Sequence, residues 1–151
     1  MLTLVEEALC EMYIDEDGRR QGATTHFYDF GEKKAIHKIM EFKDDVVNGA
    51  YMLFRIDGSI KFNHSYVNGF KCGEQTTWRS NGVIFRSEMC SSISVLHGEA
   101  VERDRNGYVN SHCIYANGVV VERLDDSELT DEDKFELRLK YGDIGFLKHF
   151  K

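Results

Sequence analysis

Apolar and polar positions alternate with a period of two through the middle of this chain. Thr76, Trp78 and Ser80 fall on one side of an extended segment while Thr77 and Arg79 take the other. Met52 and Phe54 alternate in the same way with Leu53 and Arg55. Glycines punctuate the alternation at regular intervals. Gly22 and Gly31, Gly49 and Gly58, Gly73 and Gly82, and Gly98 and Gly107 form four pairs, each nine positions apart, and the pairs begin 27, 24 and 25 residues after one another. The chain therefore reads as about four tandem β-hairpins of similar length, with these eight glycines expected at their turns.

The residues between the glycines repeat as well. The blocks are GATTHFYDFG, GAYMLFRIDG, GEQTTWRSNG and GEAVERDRNG, with an aromatic at the sixth position in three of them: Phe27, Phe54 and Trp78. Arg103 replaces it in the fourth. Asp57-Gly58, Asn81-Gly82 and Asn106-Gly107 close their blocks, and such dipeptides supply the positive φ angles of a tight hairpin turn. Just past them stand Ile60, Ile84 and Val109, β-branched residues where a strand resumes. A second turn recurs in Ser65-Tyr66-Val67-Asn68-Gly69 and Ile114-Tyr115-Ala116-Asn117-Gly118. Gly69 precedes Gly73 by four, as Gly18 precedes Gly22. The predicted unit is strand, Asn/Asp-Gly turn, strand, second turn, stacked into an antiparallel meander in which each hairpin supports its neighbours.

These glycine-bounded hairpins, with an aromatic before the turn and a Tyr-x-Asn-Gly second turn, resemble MORN repeats. They are most similar to the bacterial, antitoxin-like variant of that repeat. The likeness runs from Gly18 to Leu124. The first unit departs from it with Phe30-Gly31 followed by Glu32-Lys33-Lys34, and the third has Cys90-Ser91-Ser92-Ile93 where the second turn is expected. The resemblance implies a mainly β meander.

The ends differ from the middle. Residues 1–17 read either as a short helix over Leu4, Ala8 and Met12 or as a strand running into Tyr13. In the segment 125–151, Thr130 suits a helix N-cap, with Asp131, Glu132 and Asp133 in the first turn where acids match the helix dipole. Phe135 and Leu139 share a face, and Gly142 ends the helix before Ile144, Phe146, Leu147 and Phe150. This tail is predicted to be a helical cap folded over the last hairpin, covering its edge strand.

Composition narrows the function. The 151 residues suit one domain, there is no proline, and the net charge of −7 disfavours broad contact with nucleic acid or anionic lipid. The start Met1-Leu2-Thr3-Leu4-Val5-Glu6-Glu7 lacks the pattern of an export signal, and no apolar run reaches the length of a membrane helix. A cytoplasmic location, in the organism's own cells or a host's, is expected, with Cys10, Cys72, Cys90 and Cys113 reduced.

Three classes of site were weighed. For metal, His64, Cys72, Cys90, His97, His112 and Cys113 lack the close paired spacing of zinc ligands. His64 and Cys113 both stand sixth after a turn glycine, which marks a packing position. No catalytic residue, nucleophile setting or phosphate loop stands out, and no cofactor is called for. Binding of another protein remains, because a meander sheet has two faces and a short tail cannot cover both. Arg55, Arg79, Tyr108 and His112, neighbours of the aromatic ladder, are the candidate contact residues. The acidic stretch from Glu122 through Glu136 offers an electrostatic lure for a basic surface, or simply a solvated linker and helix start. The expected function is a small intracellular inhibitor or antitoxin-like protein that occludes a partner; a phage-encoded inhibitor fits the size and acidity. The alternatives are an acidic DNA mimic and an enzyme of unrecognised chemistry. Self-association is left open.

Overall fold

A computed structural model describes residues 1–31 and 33–124. Within them the chain folds into β1 (Thr3–Glu7), β2 (Cys10–Ile14), β3 (Gly22–Phe30), β4 (Lys33–Lys43), β5 (Val46–Phe54) and β6 (Ile60–Val67). The series continues through β7 (Phe70–Trp78), β8 (Ile84–Cys90), β9 (Leu96–Arg103), β10 (Val109–Ala116) and β11 (Val119–Arg123). All eleven form one open antiparallel sheet in sequence order, so the expected meander is present. It begins earlier than the glycine repeat does: the first segment is a hairpin of two strands, β1 and β2. The expected helical cap over 125–151 lies outside the described residues.

Local chemistry sets the loops at each end of the sheet. At Arg55–Ser59 the Gly58 N–H donates to the Arg55 carbonyl at 3.0 Å, and the Arg55 N–H to the Ser59 carbonyl at 2.8 Å. This is a type I turn followed by a glycine bulge, and the same pair of bonds recurs at Asp15–Arg19, Arg79–Val83, Ser91–Val95 and Asp104–Tyr108. Where these loops hold a glycine, it alone takes positive φ (88° at Gly82); Asp57, Asn81 and Asn106 do not. Their side chains serve the turn instead, as when Asp57 Oδ1 accepts the Ser59 N–H at 2.9 Å. The dipeptides therefore mark the turns as expected, by a different geometry. Ser94, with φ 63°, takes the glycine's place in the third unit. Asp44-Asp45, Asn68-Gly69 and Asn117-Gly118 each have two successive positive φ angles, the mark of a type I′ turn.

One expectation is corrected. Gly22, Gly49, Gly73 and Gly98 sit not in turns but in strands: Gly22 opens β3, and the other three lie inside β5, β7 and β9. Residues 48–50 stand opposite Glu41 alone, 72–74 opposite Ser65, and 97–99 opposite Met89. Each is a bulge of three residues against one, with a positive-φ glycine at its centre. At two of them side chains meet backbone groups that the bulge leaves unpaired. Buried Gln75 donates to the Ser65 carbonyl at 2.9 Å and accepts the Ser65 N–H at 3.1 Å. Glu41 Oε2 accepts the Ala50 N–H at 2.8 Å.

Successive hairpins are knitted at both ends. At one end the N–H groups of Asp45, Gly69, Ser94 and Gly118 donate to the carbonyls of Arg20, Val47, Lys71 and Leu96, each on the preceding hairpin. At the other, the Arg55 guanidinium donates to the Trp78 carbonyl at 2.7 Å and that of Arg79 to the Arg103 carbonyl at 2.7 Å. Such nearest-neighbour contacts are what hold a repeat stack together.

The Asp15 loop carries a pH signature. Hydrogen bonds from the Gln21 side chain, the Arg19 and Asp17 N–H groups and the Arg19 guanidinium stabilise the Asp15 carboxylate, holding its pKa down at about 2. Its folded pKa lies below the unfolded value near ~4, so its contribution is complete above ~4 and lost as pH falls toward ~2. The stability difference between wild type and Asp15→Asn is expected to shrink over that window in thermal melts; a constant gap would contradict the assignment.

Candidate binding surface

Direct pairing fixes which side chains share a face. Glu11, Thr25, Ile39, Met52, Asn63, Thr76, Ser87, Val101 and His112 stand opposite one another in turn from β2 to β10 and so lie on one face. Their strand neighbours lie on the other.

The second face is the packed one. Thr24, Phe42, Gln75, Cys90, Ala100 and Cys113 are all buried there. His64 and Cys113 share this face, in keeping with their equal repeat position. Rings cluster around His64: Phe62 stacks on it at 4.1 Å, and Tyr51 meets Phe62 edge-on at 5.1 Å. Burial pulls the His64 pKa down, with Lys71 adding to the effect. Further along, Arg86 lies between two carboxylates, 2.6 Å from Glu88 and 3.7 Å from Glu102. A hollow of about 70 Å³ opens beside it, lined also by Ala100, Ser111 and Cys113. The Arg86 charge is already balanced there, which leaves little pull for an anion. Burial also raises the thiol pKa of Cys90, with Glu88 adding to it, so this sulfur stays protonated near neutrality. Among the described residues no group of three His, Cys, Asp or Glu side chains is arranged to hold a metal ion. All four cysteines are free.

The first, open face carries most of the exposed apolar side chains, set among polar ones such as Thr25, Asn63 and Ser87. Phe27, Phe54 and Trp78 stand on it, paired across the strands with Ile36, Ile60 and Ile84. Phe70 is 52% exposed and its cross-strand partner Val67 is exposed too. Ile36, Val46, Ile84, Met89 and Val119 add further exposed apolar surface to the same face. On the packed face the one strand residue with a large exposed apolar side chain, among those described, is Phe30. Parts of this open face are covered: Thr76 in β7 and Val101 in β9 are buried, and His112 in β10 is 0% exposed.

The four candidate contact residues fall in different places. Arg55 and Arg79 are half-buried and bond the backbone of the next hairpin, and Arg79 also lies 4.6 Å over the Phe85 ring. His112 is buried, with Nε2 3.2 Å from the Glu99 carboxylate. Tyr108, 41% exposed, is the surface residue of the four, in the loop between β9 and β10. The arginines' role was written in their spacing, since Arg55 and Arg79 stand 24 residues apart at one repeat position. The exposed apolar row was missed because β-branched and aromatic residues suit a strand whether or not anything covers them.

No helix among the described residues is long and apolar enough to cross a membrane. Searches against family models, curated proteins and solved structures returned no match to this chain.

Proposed function

We propose that this protein is a non-catalytic binding module whose open face docks on another protein, as an inhibitor or antitoxin-like factor does, inside a cell. The observation that supports this reading is the imbalance between the two faces. Exposed Val67, Phe70, Ile84 and Met89 lie along one side of a single-layer sheet, while the other side holds most of the buried residues. Large exposed apolar patches mark interaction surfaces, and covering a half-exposed aromatic or aliphatic side chain contributes about 1 kcal/mol. The likeness of the hairpin unit to MORN variant repeats agrees with a stacked scaffold of this kind. In this reading residues 125–151 form a helical cap over the last hairpin, leaving the hairpins from β3 to β8 for the partner.

Phe70→Lys combined with Ile84→Lys is expected to abolish capture of the partner from a lysate of the protein's own or a host cell. The far-ultraviolet circular dichroism and melting temperature should stay close to wild type. Capture that persists in this double variant would place the contact surface elsewhere.

A further inference from the structure

The open sheet has two edges, and the one at β1 is bare among the described residues. Alternate residues of an antiparallel edge strand turn their N–H and C=O groups away from the sheet, ready to pair with another chain. Natural edges are commonly blunted by a bulge. Here the register of β1 on β2 runs unbroken from Thr3 opposite Ile14 to Glu7 opposite Cys10. Leu4, 45% exposed, stands beside exposed Tyr13 on the open face.

Two residues further along that face, Glu6 lies directly opposite Glu11. Like charges placed directly opposite each other are destabilising. Among the described residues neither carboxylate has an ion-pair partner. The acidic pair thus stands next to unpaired strand backbone, on the side where an added strand would lie.

The geometry points to β1 as a strand-addition site for a basic segment of another protein, one in which every second residue is by turns apolar and lysine or arginine, so that both kinds share one face. The guest would pair with the outward backbone groups of β1. On the open face its apolar residue would cover Leu4. Its next residue on that face would set a cation beside Glu6, with Glu11 one strand further in. Charge selects this guest over a second copy of the chain: two-fold pairing of β1 with itself would bring another Glu6 and Glu11 into the same acidic neighbourhood. This inference rests on the edge and its charges and does not depend on the open-face reading.

The probe is a fluorescein-labelled ten-residue peptide, capped at both ends, with valine and lysine taking turns at every second position and threonine between. Its control carries glutamate for lysine. Fluorescence anisotropy should show binding of the lysine peptide alone, and hydrogen exchange should slow at Thr3–Glu7 when it is bound. Glu6→Gln with Glu11→Gln should weaken binding about tenfold. Glu6→Lys with Glu11→Lys should switch preference to the glutamate peptide. Equal affinity for both peptides, or no binding at about 1 mM, would overturn the proposal. So would protection of Thr3–Glu7 that rises with protein concentration without peptide, which would assign the edge to a second copy. The two readings fail separately, since the peptide reports on the edge and lysate capture reports on Phe70 and Ile84.

Discussion

Gly49→Val is expected to lower the melting temperature by roughly 10 °C, the largest effect of any single change at the repeat glycines. Two costs add at this position. Gly49 has φ 117°, a conformation that a β-branched residue adopts only under strain. A Cβ built there would also stand 3.0 Å from the Glu41 Cβ, an atom that cannot swing aside as a side-chain tip can. Displacing Glu41 would further cost the bond that its carboxylate accepts from the Ala50 N–H. Together these amount to about 3 kcal/mol. Gly82→Val meets the φ penalty alone, because nothing lies within 4 Å of a Cβ at that loop. Its cost should be about 1–2 kcal/mol. Urea unfolding of the two variants checks the order. Equal losses would mean that the bulge at Gly49 is no tighter than the turn at Gly82.

Arg79→Ala should destabilise the fold by about 2 kcal/mol, and Arg55→Ala by a similar amount. Each guanidinium holds the carbonyl that ends the first strand of the next hairpin, and Arg79 also covers the Phe85 ring. Truncation leaves a half-buried carbonyl without its donor. Arg79→Lys should recover only part of the loss, because an ammonium lacks the planar fork that spans ring and carbonyl. Tyr108→Ala serves as the contrast, an exposed loop residue whose removal should cost much less. If Arg79→Ala left stability untouched while weakening partner capture, the arginine would be a contact residue after all.

Much of this architecture was legible in the sequence, for reasons that the same residues make clear. Period-two alternation around Trp78 and Phe54 fixed which side chains share a face, because strand geometry permits no other arrangement. Ile60, Ile84 and Val109 marked the first residues of β6, β8 and β10. Asn68-Gly69 and Asn117-Gly118 gave the type I′ turns, where two consecutive positive φ angles require those residue types. The bulges were not legible. Glycine reports a need for positive φ, and Gly73 in a bulge and Gly58 in a turn answer that need alike. Gly18 lies at the same end of the sheet as Gly69, as their equal lead over Gly22 and Gly73 suggests, but its loop has the turn geometry of the Gly58, Gly82 and Gly107 loops. Ser94 carries a positive φ without glycine, so the third unit's second loop was placed by its position in the repeat and lacked the glycine that marks the others.

The candidate surface was legible only in part. Two unequal faces follow from alternation, yet which face is left open depends on what packs against each. The equal spacing of Arg55 and Arg79 could have reassigned them. A residue that recurs at one repeat position bonds its counterpart's neighbourhood in the next unit, as the carbonyls of Trp78 and Arg103 show.

The most direct test of the central claim compares what three tagged proteins capture from one lysate, at low and high salt, by mass spectrometry. They are the wild type, the Phe70→Lys/Ile84→Lys variant, and a packed-face control, Lys38→Ala. An apolar docking face predicts one stoichiometric protein, retained at high salt by the wild type and the control and lost from the double variant. Equal capture by all three, or capture that vanishes with salt in the wild type, would contradict the open face as the site of binding.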